Sequence, residues 1–175
     1  GYLRLNGHEA VVNEADFPGS LSIMALRTSG NVEASNFSND RNIGGRYANG
    51  DLGELIIFTT ALSDKEIEKV EGYLAHKWAL DGELPDEHTY KGGFSEFHKF
   101  GIPLHSLVDK SGTKNHASQD VNASQPEYVK NVLGSENMPV LRFDGSNDFL
   151  EFNEIKTVRT VFLVSKRNPG NQGFI

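Results

Sequence analysis

The residues of this chain that come closest to a catalytic arrangement are two carboxylate pairs, Asp51 with Glu54 and Asp148 with Glu151. Hydrolysis of a glycosidic bond on a β-sandwich needs an acid and a nucleophile projecting from one face of a strand. That means carboxylates two residues apart, as in Glu-x-Asp-x-Glu. Each pair here is three residues apart, so a regular strand turns its members to opposite faces, and no alternating triplet occurs. Nucleophilic chemistry has no Gly-x-Ser-x-Gly elbow to start from. His76 falls on an expected helix, while His88, His98, His105 and His116 fall in loops or near strand ends. They lack the His-x-His or His-Glu-x-x-His spacing of a zinc site and read as surface or hydrogen-bonding side chains. Gly44-Gly45 and Gly92-Gly93 are too short to cradle a phosphate, and the absence of cysteine removes thiolate chemistry and disulfides together. No catalytic residue is expected.

The oxygen-rich loops admit a different chemistry. Calcium takes six to eight oxygen ligands, and Asp109, Asn115, Asp144 and Asp148, helped by backbone carbonyls, are the candidates to supply them. The competing reading is that Asp144 and Asn147 cap a turn through their own backbone.

Composition frames both possibilities. At 175 residues with 37% hydrophobic and 23% charged, the chain is long enough and apolar enough for an ordered core. Eighteen glycines set among many Asn and Ser favour numerous short strands over a few long helices. A net charge of −7 with no sizeable basic cluster argues against nucleic acid as a partner. No apolar run approaches the roughly 18–20 residues that cross a bilayer, so membrane insertion is not expected. No signal peptide opens the chain, which reads as a piece of a longer protein.

Strand signals place these residues. Tyr2 to Leu5, Asn6-Gly7 and the segment from Ala10 read as a hairpin, because Asn-Gly accepts the positive φ of a two-residue turn. Leu21 to Leu26, Leu52 to Phe58 and Thr157 to Val164 read as strands, and Ser29 to Arg46 as loop. Val140–Phe143 and Phe149–Phe152, flanking Asp144 to Asp148, read as a second hairpin. Glu54 lies inside an apolar strand, where a buried carboxylate needs a partner, and Arg46 or Arg142 is expected to serve. One helix is expected over about 64–79. Ser63 and Glu66 form a capping box at its start, Leu62 and Ile67 a hydrophobic staple, and Ile67, Val70, Leu74 and Trp78 an apolar stripe. Trp78 is read as core rather than as a platform for sugar.

The run Gly50-Asp51-Leu52-Gly53-Glu54-Leu55-Ile56-Ile57-Phe58, with Ala61 to Ile67 and Gly72-Tyr73-Leu74-Ala75-His76-Lys77-Trp78, resembles the closing segment of laminin-G-like, concanavalin A-like jelly-roll domains. Asp109 to Ala117, Val140 to Phe143 and Asp144-Gly145-Ser146-Asn147-Asp148-Phe149-Leu150 resemble the opening segment of the same family. The resemblance implies an all-β, antiparallel jelly-roll β-sandwich with one short helix, and calcium in the loops. It further implies a secreted bacterial surface protein of adhesin type, whose partners are neighbouring domains of the same chain and, in some members, glycans. The order is inverted here, with the closing half (1–92) ahead of the opening half (93–175). Either residues 1–175 are one permuted, split domain, or the chain spans a junction of two tandem repeats with a boundary near 82–103. The expected function is a non-catalytic scaffold or ligand-displaying module. A carbohydrate-binding module is the alternative, and a piece of a glycoside hydrolase a more distant one.

Overall fold

The structure, a computed structural model, describes residues 1–11, 18–39, 44–93, 108–133 and 138–168, with only the backbone described for 130–133. Its strands are β1 (Tyr2–Leu5), β2 (His8–Ala10), β3 (Ser22–Phe37), β4 (Asn49–Phe58), β5 (Glu127–Leu133), β6 (Met138–Asp144) and β7 (Leu150–Arg167), with one α-helix, α1 (Asp64–Trp78). All seven strands join a single antiparallel sheet in the order β2-β1-β3-β7-β4-β6-β5. Among the described residues the architecture is therefore mostly β with one α-helix, as the strand and helix signals imply.

Local chemistry explains the elements that were expected. Asn6 (φ 49°) and Gly7 (φ 80°) take the left-handed conformations of a tight hairpin turn, and Asn6 Oδ1 accepts the Ile23 N–H at 2.7 Å, tying that turn to β3. In α1 the capping box is formed: Glu66 N–H donates to Ser63 Oγ, and Ser63 N–H donates to the Glu66 carboxylate at 2.8 Å. The Ser63 hydroxyl, which also donates to that carboxylate at 2.7 Å, and the Ser63 N–H together hold the Glu66 carboxyl below the usual carboxylate range. At the other end Ala79 turns left-handed (φ 55°) and Leu80 N–H bonds the Ala75 carbonyl at 2.8 Å, closing the helix.

The buried face of α1, with Ile67, Leu74, Ala75 and Trp78, packs on Ile23 and Ala25 of β3, Val140 of β6, and Phe162 and Val164 of β7. Leu62 and Ile67, the two ends of the expected staple, lie in this same cluster. Full burial of each large aliphatic side chain stabilises by about 1.5–3 kcal/mol, so this face fixes the helix on the sheet. A second cluster joins Phe37, Leu52, Ala117, Leu141, Phe143, Leu150 and Leu163. Across the sheet face away from α1 the register lines up Leu3, Leu26, Val161 and Ile57 in one row and Leu5, Met24, Leu163 and Leu55 in the next. Both clusters draw side chains from the first and the second half of the sequence, and β7 lies between β3 and β4.

Three expectations are corrected. Ser29 to Phe37 is not loop: it continues β3, pairing irregularly with the first half of β7 through Val32–Val158, Ala34–Ile155 and Phe37–Leu150. The 18-residue β7 offers a ladder that outweighs the turn-prone composition. The segments around Val140–Phe143 and Phe149–Phe152 are not a hairpin, because β4 lies between β6 and β7 and pairs with both. Asp51 and Glu54 do not face opposite ways either. A bulge at Gly53 sets Asp51 opposite Lys166 and Glu54 opposite Val164, so both acids share the helix-side face. Of the connector expected over 81–103, residues 81–93 are described, as a 3-10 turn at Asp81–Glu83 followed by further turns, and the remainder lies outside the described residues.

Gly53 leaves room for Trp78. A Cβ at position 53 would lie 2.6–2.9 Å from three atoms of the indole ring, closer than real contacts allow. Gly53→Ala is expected to destabilise by about 1–3 kcal/mol through overpacking, read as a lower urea midpoint. A midpoint within error of the parent would refute this tight fit.

Candidate functional site

The bulge collects charged side chains where β4 passes under the end of α1. Glu54 accepts hydrogen bonds from Lys77 Nζ at 2.9 Å and Trp78 Nε1 at 3.0 Å. Its expected arginine partners are thus replaced by two residues one turn-end of the helix supplies, a pairing that sequence spacing alone did not indicate. Burial opposes the charge on Lys77, but Glu54 and Tyr73 outweigh it and raise its pKa. Arg142 grips Asp51 instead, Nε to Oδ1 at 2.7 Å and Nη2 to Oδ2 at 3.0 Å, and these bonds raise the arginine's pKa. Register extends this contact into a row across four strands, Glu127, Arg142, Asp51 and Lys166, alternating in sign. Both acids of the Asp51–Glu54 pair are thus bonded to cations.

The four residues proposed for calcium fall in two loops. Asp109 Oδ1 accepts the Ser111 N–H at 2.7 Å, and Oδ2 accepts Thr113 Oγ1 at 2.5 Å and the Asn115 N–H at 2.9 Å. Those donors, the Ser111 loop foremost, hold its carboxyl far below the usual range. Asn115 exchanges two bonds with the Asn153 backbone, at 2.9 and 2.7 Å, which fastens the loop to β7. In the other loop Asp144 Oδ1 accepts the N–H groups of Ser146 (2.7 Å) and Asn147 (3.3 Å), and Asp148 Oδ2 accepts the Asp144 N–H at 3.0 Å. Asn147 Nδ2 donates to the carbonyl of Ala123 and to Ser124 Oγ. Among the described residues no group of three or more His, Asp or Glu side chains converges as a metal set would.

Asp148 is buried, and burial, aided by the nearby Asp144 charge, outweighs the hydrogen bond from the Asp144 N–H and raises its carboxyl above the usual value. A raised carboxyl contributes stability in its protonated form, present below the unfolded-state pKa and lost as pH rises through the folded one. Asp148→Asn keeps an acceptor for Asp144 N–H and removes the buried charge. Its melting temperature at neutral pH is expected to equal or exceed the parent's, with the difference vanishing in acid. A fall of more than about 5 °C at neutral pH would contradict the argument.

A third cluster was not singled out from the sequence. Glu71 is fully buried, and its Oε2 accepts Arg4 Nη1 at 3.1 Å and lies 3.4 Å from His88 Nε2, while Oε1 has no hydrogen-bond partner among the described residues. Arg4 also donates to the Tyr2 hydroxyl, and burial's opposition to its charge is outweighed by Glu71 and Tyr2, which raise its pKa. The only sequence signal was a glutamate near the apolar stripe of an amphipathic helix. His88 itself is buried rather than at the surface, and His98 and His105 lie outside the described residues.

Comparison of the chain with protein-family models, curated proteins and solved structures gives no match. Among the described residues no helix is long and apolar enough to cross a membrane.

Proposed function

We propose that the chain is a non-catalytic scaffold or ligand-displaying module of a bacterial, adhesin-type surface protein. The observation that carries this reading is the use made of three acids: Asp51 and Glu54 of β4 and Glu71 of α1 each bind a cationic side chain that fastens one element to another. Such groups serve the fold, and their cationic partners speak against Asp51 and Glu54 acting as an acid–nucleophile pair for glycoside cleavage. A panel of aryl glycosides should give no turnover. Hydrolysis abolished by Asp51→Asn or Glu54→Gln would overturn the reading.

In this proposal the module is one permuted, split jelly-roll domain. Support comes from β7 entering between β3 and β4, and from the apolar rows on the face away from α1, which suit a second layer. A single calorimetric transition whose van't Hoff and calorimetric enthalpies agree is expected; two transitions would favour a repeat junction. Calcium would enter as a ligand of the Asp109 or Asp144 loop, whose carboxylates already accept backbone N–H groups. Calorimetry of chelator-treated protein with calcium restored tests it, and a raised melting temperature would establish the site.

A carbohydrate-binding role has one observation in its favour. Tyr47 and Phe149, half-buried with ring centroids 6.5 Å apart, sit beside the polar Asp144–Asp148 loop. Aromatic faces next to hydroxyl-binding groups are what sugar recognition uses. A glycan array decides: signal lost in Tyr47→Ala supports a lectin-like module, and a flat array supports the scaffold.

A further inference from the structure

Residues 80–93 run back from the end of α1 along its outer side, and four contacts clamp them. Tyr90 packs where Gly72 has no side chain, and Pro85 and His88 crowd Gly7 of the β1–β2 turn. Thr89 Oγ1 donates to Glu68 at 3.0 Å, and the Tyr90 peptide is held at both ends by histidines. His76 Nε2 donates to the Tyr90 carbonyl at 2.7 Å, and Tyr90 N–H donates to His88 Nδ1 at 3.3 Å.

This second bond fixes the state of His88. A ring nitrogen that accepts a backbone N–H carries no hydrogen, so the single proton of His88 resides on Nε2, directed at Glu71 Oε2. We propose that residues 80–93 form an acid-released strap whose latch is His88, held as its neutral Nε2–H tautomer.

A second proton has only Nδ1 to occupy. There it turns an acceptor into a donor facing Tyr90 N–H, and that bond is lost. The other groups around His88 do not restore it. Glu71 on α1 faces the opposite ring nitrogen and already shares its charge with Arg4 of β1, itself bonded to Tyr2. Glu68 is engaged by Thr89 and lies 4.0 Å from Arg4. Lys91 and Asp86 pair with each other at the strap's surface. His76 donates to the Tyr90 carbonyl in either charge state. Acid therefore leaves Tyr90 N–H without its acceptor and loosens the turn from Tyr90 to Gly93, while the His76 bond to the Tyr90 carbonyl persists and the imidazolium stays against Glu71.

The test is amide exchange on the whole chain between about pH 7.5 and about pH 5, the range in which histidine changes charge, with rates divided by their intrinsic values. Protection at Tyr90, Lys91 and Gly93 is expected to fall about tenfold or more, with Leu74 in α1 unchanged. In His88→Gln, whose amide donates and accepts at comparable places without titrating, protection should be level with pH. An equal fall in that variant, or none in the parent, refutes the latch. Because the variant could fail to fold, the tautomer is also read directly on the parent by nitrogen-15 NMR. A proton found on Nδ1 at neutral pH overturns the proposal, and one on Nε2 supports it.

Discussion

Replacing Trp78 with alanine is expected to lower stability by about 3–5 kcal/mol, the range for truncating a large buried aromatic side chain. The ring is 2% exposed, fills the space left by Gly53 and donates from Nε1 to Glu54 at 3.0 Å. Truncation leaves a cavity between helix and sheet and removes one of two donors from a half-buried carboxylate. Trp78→Phe separates the contributions. It retains most of the volume and loses the hydrogen bond, so about 1–2 kcal/mol is expected. Urea denaturation should show both losses as shifts in midpoint at constant slope, and two variants within about 0.5 kcal/mol of the parent would remove Trp78 from its assigned place.

The other large effect belongs to Glu71. Its substitution by alanine leaves Arg4, whose side chain is 12% exposed, without its principal counter-charge. Breaking a buried pair from one side costs about 3–5 kcal/mol, whereas replacing both members by apolar residues of similar volume is often neutral or favourable. Arg4→Met with Glu71→Leu should therefore recover most of what Glu71→Ala loses, and a double-mutant cycle would register the coupling. If Glu71→Ala costs less than about 1 kcal/mol, the carboxylate is not the fastening described here. The unpartnered Oε1 adds a reason to expect recovery, since an apolar replacement has no orphaned acceptor.

These two residues mark how far the sequence could be read. The helix around Trp78 was legible in full, cap and stripe included, because capping and periodicity are encoded within a few residues. The Asn6-Gly7 turn was legible for the same reason. Pairings between distant segments were not. Nothing near Asp144 to Asp148 announces that β4 will enter between the strands on either side. The bulge at Gly53 inverted the facing inferred for Asp51 and Glu54, and a bulge depends on the partner strand. Glu54 found Lys77 rather than an arginine because the helix end sits above the bulge. β5, in which Lys130 and Asn131 dilute the valines, carried too weak an alternation to be recognised. Of the loop residues, the turn-capping chemistry of Asp144 was legible locally, whereas the bonds joining Asn115 to Asn153 were not.

The central position of β7 bears on how the polypeptide emerges from a ribosome. Ile23 pairs with Val164, Leu26 with Val161, and Leu55 with Leu163, ladders that span more than a hundred positions. β3 and β4 do not touch as neighbours in the sheet, so each has one edge, the one not paired with β1 or β6, that waits for β7. During synthesis the inner edges of β3 and β4 would remain open until β7 is made, and closure of such long loops slows the search for the native pairing. Refolding should accordingly be slow for a chain of this size, and nascent polypeptides ending before Leu150 should depend on a holding chaperone to escape edge-to-edge association.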